Sequence, residues 1–209
     1  MRVISVNVGT AVDAEWAGKV KRTAIDKRAV SGRVEVRPNG LAGDERGDLA
    51  AHGRPSQAVY SYAREDYDWW AGELGRELRD GQFGENLTTR GVDLGGAKLG
   101  ERWRVGSALL EVSSPRVPCV VFRNWLGEPG WVKHFTAAER PGAYLSVIET
   151  GELGVGDDVE LVHRPDDSVT VVESFRAYHG DVELMRRILA FDGHAPVWDA
   201  VAKRVLGTS

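Results

Sequence analysis

Hydrophobic positions in the first 165 residues come in short bursts, cut apart by glycine and proline. Glycine alone accounts for 25 residues. Such spacing predicts many short strands rather than long helices. The clearest pair is Arg102-Trp103-Arg104-Val105 and Ala108-Leu109-Leu110-Glu111-Val112, joined by Gly106-Ser107. A two-residue loop opening on glycine suits a type II′ hairpin turn. Ala143-Tyr144-Leu145-Ser146-Val147-Ile148 and Val159-Glu160-Leu161-Val162 read as two more strands, and the segments around Val34 and Val59 supply others. Together they predict a mainly β fold, a barrel or a sandwich.

One helix interrupts that pattern. From Arg64 to Arg79, the residues Tyr67, Trp70, Leu74 and Leu78 recur at helical spacing, with charged side chains between them. The stripe reads as a core-facing side. After the polar stretch Arg164-Pro165-Asp166-Asp167-Ser168, read as a linker, the period turns helical again. Three short helices are expected, Val171 to Tyr178, Asp181 to Ala190 and Ala195 to Leu206, with Asp181 as an N-cap and Pro196 near a helix start. About 45 residues is too little for a free-standing core, so this tail is expected to pack on the β part.

Composition narrows the options. The 209 residues include 27 basic and 31 acidic side chains, a formal charge of −4. Binding to a nucleic-acid polymer normally shows up as a basic domain, which this is not. No run approaches the roughly 18 apolar residues that span a bilayer, and the N-terminus lacks a signal peptide's apolar core. A cytoplasmic location is the expectation. The one cysteine excludes an intrachain disulfide and a Cys-rich zinc site. No phosphate-binding Gly-Lys loop, dinucleotide fingerprint, His-Glu-x-x-His or Gly-x-Ser-x-Gly occurs.

Cys119 is the most informative residue. It ends the stretch Ser114-Pro115-Arg116-Val117-Pro118-Cys119, just past a predicted strand. The two prolines stiffen the loop and remove two amide donors. Arg116 lies close enough in sequence to set a cation near the sulfur or near a phosphate. A cation favours the thiolate, which is both nucleophile and soft-metal ligand. The structural alternative is a buried cysteine acting as a small hydrophobe. Three further segments stand out: Gly40-Leu41-Ala42-Gly43-Asp44-Glu45 with His52-Gly53-Arg54-Pro55, then Phe83-Gly84-Glu85-Asn86-Leu87, and Lys27 within Thr23-Ala24-Ile25-Asp26-Lys27. His52 and Arg54 suit an anion, although His52 equally suits a local carbonyl. By itself Lys27 reads as a solvated lysine.

In this order the segments resemble the MOSC family, named for the C-terminal domain of molybdenum cofactor sulfurase. The tail resembles the three-helix extension of its bacterial YiiM-like members. The resemblance implies a MOSC-type β-barrel with inserted helices over 1–165 and a small α-helical extension over 169–209. Two departures stand out. Arg54 replaces the second glycine of the usual His-Gly-Gly-Pro, and Ser114 stands where glutamine is frequent. Several members bind a molybdenum–molybdopterin cofactor, with the matching cysteine on the metal. Carried over, Cys119 is the metal ligand and catalytic centre, Arg116 and Lys27 are phosphate contacts, Arg54 is a possible further one, and His52 and Asn86 are partners for the pterin or an oxo group.

The first functional expectation is a molybdenum-cofactor oxidoreductase that reduces N-hydroxylated compounds, hydroxylaminopurines or amidoximes, through a Mo(IV)/Mo(VI) cycle. With no iron–sulfur, flavin or nicotinamide signature visible, it implies a separate electron-donor protein. The alternatives are a sulfur carrier using a Cys119 persulfide and a non-catalytic cofactor-binding protein. Pyridoxal phosphate chemistry would need a Schiff-base lysine; Lys27 is available, but nothing in its context singles it out.

Overall fold

A computed structural model describes residues 1–47 and 53–207. Its strands are β1 (Arg2–Val8), β2 (Val12–Asp13), β3 (Arg22–Thr23), β4 (Arg28–Ala29), β5 (Arg33–Arg37) and β6 (Gly40–Leu41). There follow β7 (Val59–Ala63), β8 (Leu87–Arg90), β9 (Arg102–Val105), β10 (Ala108–Pro115), β11 (Ala143–Glu149), β12 (Gly151–Gly154) and β13 (Val159–His163). Eight of them form one mixed sheet in the order β13-β9-β10-β11-β7-β8-β1-β4. A second sheet runs β12-β5-β6, and β2 pairs with β3. The expected hairpin is present, with Val105 opposite Ala108 and Gly106 at φ +58.

Two expectations need correcting. Helix and strand take nearly equal shares, 31% and 30%, so mainly β holds only in part. The sheet is also not closed as a barrel, because its outer strands β13 and β4 do not pair. The reason lies in β1. Its later residues are used by β8 and β4, at Val6↔Leu87 and Asn7↔Ala29. Only its start reaches β13, through the single bridge Arg2↔Asp158 and the bonds Val3 N–H to Asp157 O (2.9 Å) and Val159 N–H to Met1 O (3.0 Å).

Strand β7 is buried along its whole length and divides the interior. Alternate side chains of a strand point to opposite faces. Val59 and Ala63 therefore join the aliphatic core with Leu110, Val112 and Leu145. Tyr60 and Tyr62 enter an aromatic core with Tyr67, Trp70, Phe83, Phe122, Trp131 and Phe135. Helix α1 (Arg64–Leu74) carries β7 over to its parallel neighbour β8, as such a pair requires. It is shorter than its apolar stripe, because Gly75 takes the left-handed conformation (φ +62) that ends a helix. Leu78 is still buried, but outside the helix.

Two helices were not foreseen, α2 (Val120–Leu126) and α3 (Trp131–Ala138). Each makes about two turns, too few to show a period beside glycine-rich joints. Trp131 and Phe135, four apart, enter the aromatic core side by side. The three expected tail helices are α4 (Val171–Tyr178), α5 (Val182–Ala190) and α6 (Val197–Leu206). Thr170 and Glu173 form a capping box on α4, and Asp181 accepts from the Leu184 amide (3.0 Å) at the start of α5. Val171, Met185, Ile188 and Trp198 share the aliphatic core with the sheet. The Trp198 indole N–H donates to the Ser113 carbonyl of β10 (3.0 Å). Among the described residues, no helix is long and apolar enough to cross a membrane.

Candidate functional site

A cavity of about 630 Å³ opens beside the joint between β10 and α2. Its walls come from the 3₁₀ turn Glu15–Val20, the β3–β4 connection, the loop after β6, the start of β7 and the loop before β8. Cys119, Arg116, Lys27 and Asn86 all line it, although 92 positions separate the first and last in sequence (119 − 27 = 92).

Cys119 occupies the N-cap position of α2, half-buried and free, with no hydrogen bond from its side chain to the helix. Strand β10 ends at Pro115, so Arg116 to Cys119 form the tight link between strand and helix. Arg116 is buried, with its guanidinium over the Phe122 ring (3.9 Å) and the Tyr60 ring (5.1 Å). It donates to the Phe83 carbonyl and, among the described residues, has no carboxylate partner. Burial works against its charge, but Tyr60, Tyr144 and Cys119 more than offset it and move its pKa upward. That carbonyl is near because Gly84 adopts φ +78, where a Cβ would stand 3.0 Å from Ile25 Cγ1.

The loop holding Phe83 is fastened by Glu85. Its buried carboxylate accepts from the Tyr67 hydroxyl (2.7 Å), the Thr88 hydroxyl (2.7 Å) and the Gly81 amide (2.5 Å). Burial raises its pKa despite these donors. The Tyr67 hydroxyl in turn accepts the Phe83 N–H (2.7 Å). Glu85 thus serves the fold.

Asp44 is the hub of the opposite wall. It forms a buried ion pair with Lys27 and accepts from the Gly9 amide (2.8 Å) and Asn86 Nδ2 (2.9 Å). Asn86 Nδ2 also donates to the Asn7 carbonyl (3.2 Å), and its Oδ1 accepts from the Tyr60 amide (3.1 Å). The whole amide is therefore engaged by protein, and Asn86 positions Asp44. Burial lowers the Lys27 pKa, with Asp44 pulling it back only in part.

Arg54 is exposed, just before the 3₁₀ turn Pro55–Gln57, and is not among the lining residues. His52 lies outside the described residues. Sequence reasoning gave no role to Asp44 or to the lining residues Arg46, Tyr60 and Tyr144. Asp44 stands in one of the segments singled out, but its partner is 17 positions away, beyond any local signal.

A MOSC domain model matches residues 48–160, more than half of the chain. The chain belongs to the MOSC family. It is 33% identical to the protein YiiM of Escherichia coli over 184 residues, which is 85% of this chain and 82% of that one. It is 32% identical to YflK of Bacillus subtilis, covering 95% and 91% of the two chains. A protein of Gibberella moniliformis named as a reductase is 32% identical over 167 residues, 78% of this chain but only 29% of that much longer one. Among solved structures, YiiM of Geobacillus stearothermophilus superposes with a TM-score of 0.80 at 26% identity, covering 98% of both chains. In this MOSC protein the matched span carries Arg54, Asn86, Arg116 and Cys119. Lys27 and Asp44 come from the segment before it.

Proposed function

We propose that this MOSC protein is a molybdenum-cofactor-dependent oxidoreductase that reduces N-hydroxylated compounds, such as hydroxylaminopurines and amidoximes. The observation that carries the reading is one cavity lined by both a free thiol and a buried guanidinium that, among the described residues, has no carboxylate partner. A buried charge is costly unless paired. Among the described residues Arg116 meets a carbonyl and two ring faces, so an anionic ligand would complete its surroundings. The cavity size, about 630 Å³, falls in the common range of small-ligand sites, roughly 300–1,000 Å³.

The residues present suit the cofactor. Cys119 is a soft ligand, matched to a metal already bound by sulfur. Arg116 would hold the phosphate through its fork, aided by Arg46, which lines the same cavity. Lys27 already has a counterion in Asp44, so its remaining N–H groups would meet polar edges of cofactor or substrate. When bound, the cofactor supplies the two-electron redox chemistry. The electrons would come from a separate donor protein. The name of the fungal relative is in line with this reading.

The test is to purify the protein from a molybdenum-replete host and quantify molybdenum and oxidised pterin per chain, beside Cys119→Ala. A viologen-driven assay with a hydroxylaminopurine follows. The expected result is near-stoichiometric cofactor, molybdenum lost in the variant, and substrate reduction by the wild type. Absence of molybdenum and pterin, even after incubation with intact cofactor, would overturn the reading. A persulfide on Cys119 would then favour sulfur carriage, whereas tight cofactor binding without turnover would indicate a binding module.

A further inference from the structure

Reducing an N-hydroxyl group consumes protons as well as electrons: R–NH–OH + 2 e⁻ + 2 H⁺ gives R–NH₂ + H₂O. The N–O bond breaks, one proton ends on nitrogen or on the departing oxygen, and the second completes the amine or the water. A proton donor held in the cavity wall, within reach of the breaking bond, speeds such a step. Most groups lining this one are unsuited. Arg46 and Arg116 do not surrender protons. The Tyr60 hydroxyl is spent on the Pro141 carbonyl (2.8 Å), and burial pushes the pKa values of Tyr60 and Tyr144 upward. Asp44 accepts from three donors, and Glu45 accepts from the Ala11 amide (2.8 Å). Cys119 is the metal ligand of the proposed reading. Lys27 remains.

We infer that Lys27 is the general acid of this site, delivering a proton to the N–O group as it breaks, while Asp44 holds its ammonium in place. The inference rests on the reductase reading above. The Lys27 side chain is buried, lines the cavity, and its Nζ makes no hydrogen bond other than that to Asp44 among the described residues. An ammonium has three donors, so two are left. The charges facing it are Asp44 and Arg46 from the loop after β6 and Glu85 from the loop before β8. Arg79 donates to its main-chain carbonyl (2.6 Å) and is itself paired with Asp26 (2.5 Å). Burial brings the ammonium's pKa down from the ordinary value, which makes proton release easier. After release, the neutral amine recovers its proton from water at the mouth, where Lys19 and Arg22 are exposed. The electrons come from a reduced flavin or iron–sulfur carrier, and the second proton comes from water.

Lys27→Arg separates charge from proton delivery, because guanidinium keeps the one and cannot perform the other. With cofactor-loaded protein, reduced viologen and a hydroxylaminopurine, the variant should lose about 100-fold or more in kcat, the usual scale of general acid catalysis. Molybdenum content should stay intact. Wild-type kcat should fall as pH rises through the Lys27 pKa, and Asp44→Asn should move that fall to lower pH. A readout independent of cofactor is the ¹³Cε titration of the six lysines, with Lys27 assigned by its absence in Lys27→Arg. Its midpoint should lie below those of the other five and drop further in Asp44→Asn. Loaded Lys27→Arg turning over within about threefold of wild type would overturn the inference and leave the reductase reading standing. So would lost molybdenum, which would mark an anchoring role. A Lys27 midpoint equal to that of an exposed lysine would also overturn it. No turnover by loaded wild type would overturn the reading and the inference together.

Discussion

Replacing Asp44 by alanine removes one carboxylate and strands three donors: the Lys27 ammonium, the Gly9 amide and Asn86 Nδ2. Breaking a buried ion pair from one side typically costs about 3–5 kcal/mol, because the remaining charge is left unpaired. Each orphaned amide adds about 1 kcal/mol or more when water cannot reach it. The cavity admits some water, so about 4 kcal/mol in all is expected near neutral pH, a large part of a typical 5–15 kcal/mol of stability. Most of that cost resides on Lys27. Adding Lys27→Met should therefore return about 2 kcal/mol, and urea unfolding of wild type, both single variants and the double closes the cycle. Linkage gives a second signature. A lysine whose native pKa lies below its unfolded 10.5 subtracts stability while charged and returns it as pH rises. Asp44 raises the native value, so its loss lowers that value further. Between the variant's native pKa and the wild type's, only the variant has shed the proton, and the stability gap should shrink by about 1.4 kcal/mol per pH unit. A gap that stays flat from about pH 5 to about pH 10, or a double variant no more stable than Asp44→Ala, would refute the reasoning.

Two further outcomes are expected. Trp198→Ala removes a nearly fully buried indole and its bond to the Ser113 carbonyl; urea unfolding should show a loss of about 3–5 kcal/mol, against little loss if the tail were only an ornament on the sheet. Tyr67→Phe deletes the hydroxyl between the Phe83 amide and Glu85; it should cost about 1–3 kcal/mol and speed hydrogen exchange at Phe83, and an unchanged exchange rate would mean that the loop is held by something else.

What the sequence revealed followed the range of its signals. The Gly106-Ser107 hairpin and the tail helices are local, written in adjacent residues, and the structure contains them. The helix at Arg64 was legible in its stripe but not in its end, since Gly75 acts as a stop only once its φ is known. The segment from Val120 to Leu126 has β-branched and aromatic residues with weak helical preference, and tertiary packing of Phe122 and Leu126 overrides it. Closure of the sheet depends on how β1 divides its length among three neighbours, which no local pattern encodes. The site shows the same division. Cys119, Arg116, Lys27 and Asn86 were visible as residues in ordered segments, and the structure gathers them around one cavity. That Asp44 couples two of them was invisible, because a carboxylate's partners are chosen by the fold.

The bond from Trp198 to Ser113 also bears on timing. Ser113 lies on the strand that leads directly into Pro115 and the thiol-bearing loop. Trp198 is made long after that loop has left the ribosome. Until it docks, β10 lacks one of its restraints, and the pocket beside it is not yet set. A nascent chain would thus hold Cys119 near its final neighbours before the strand leading to it is fully restrained. Assembly order itself then matters: the wall beside Cys119 gains its last restraint only once α6 has docked.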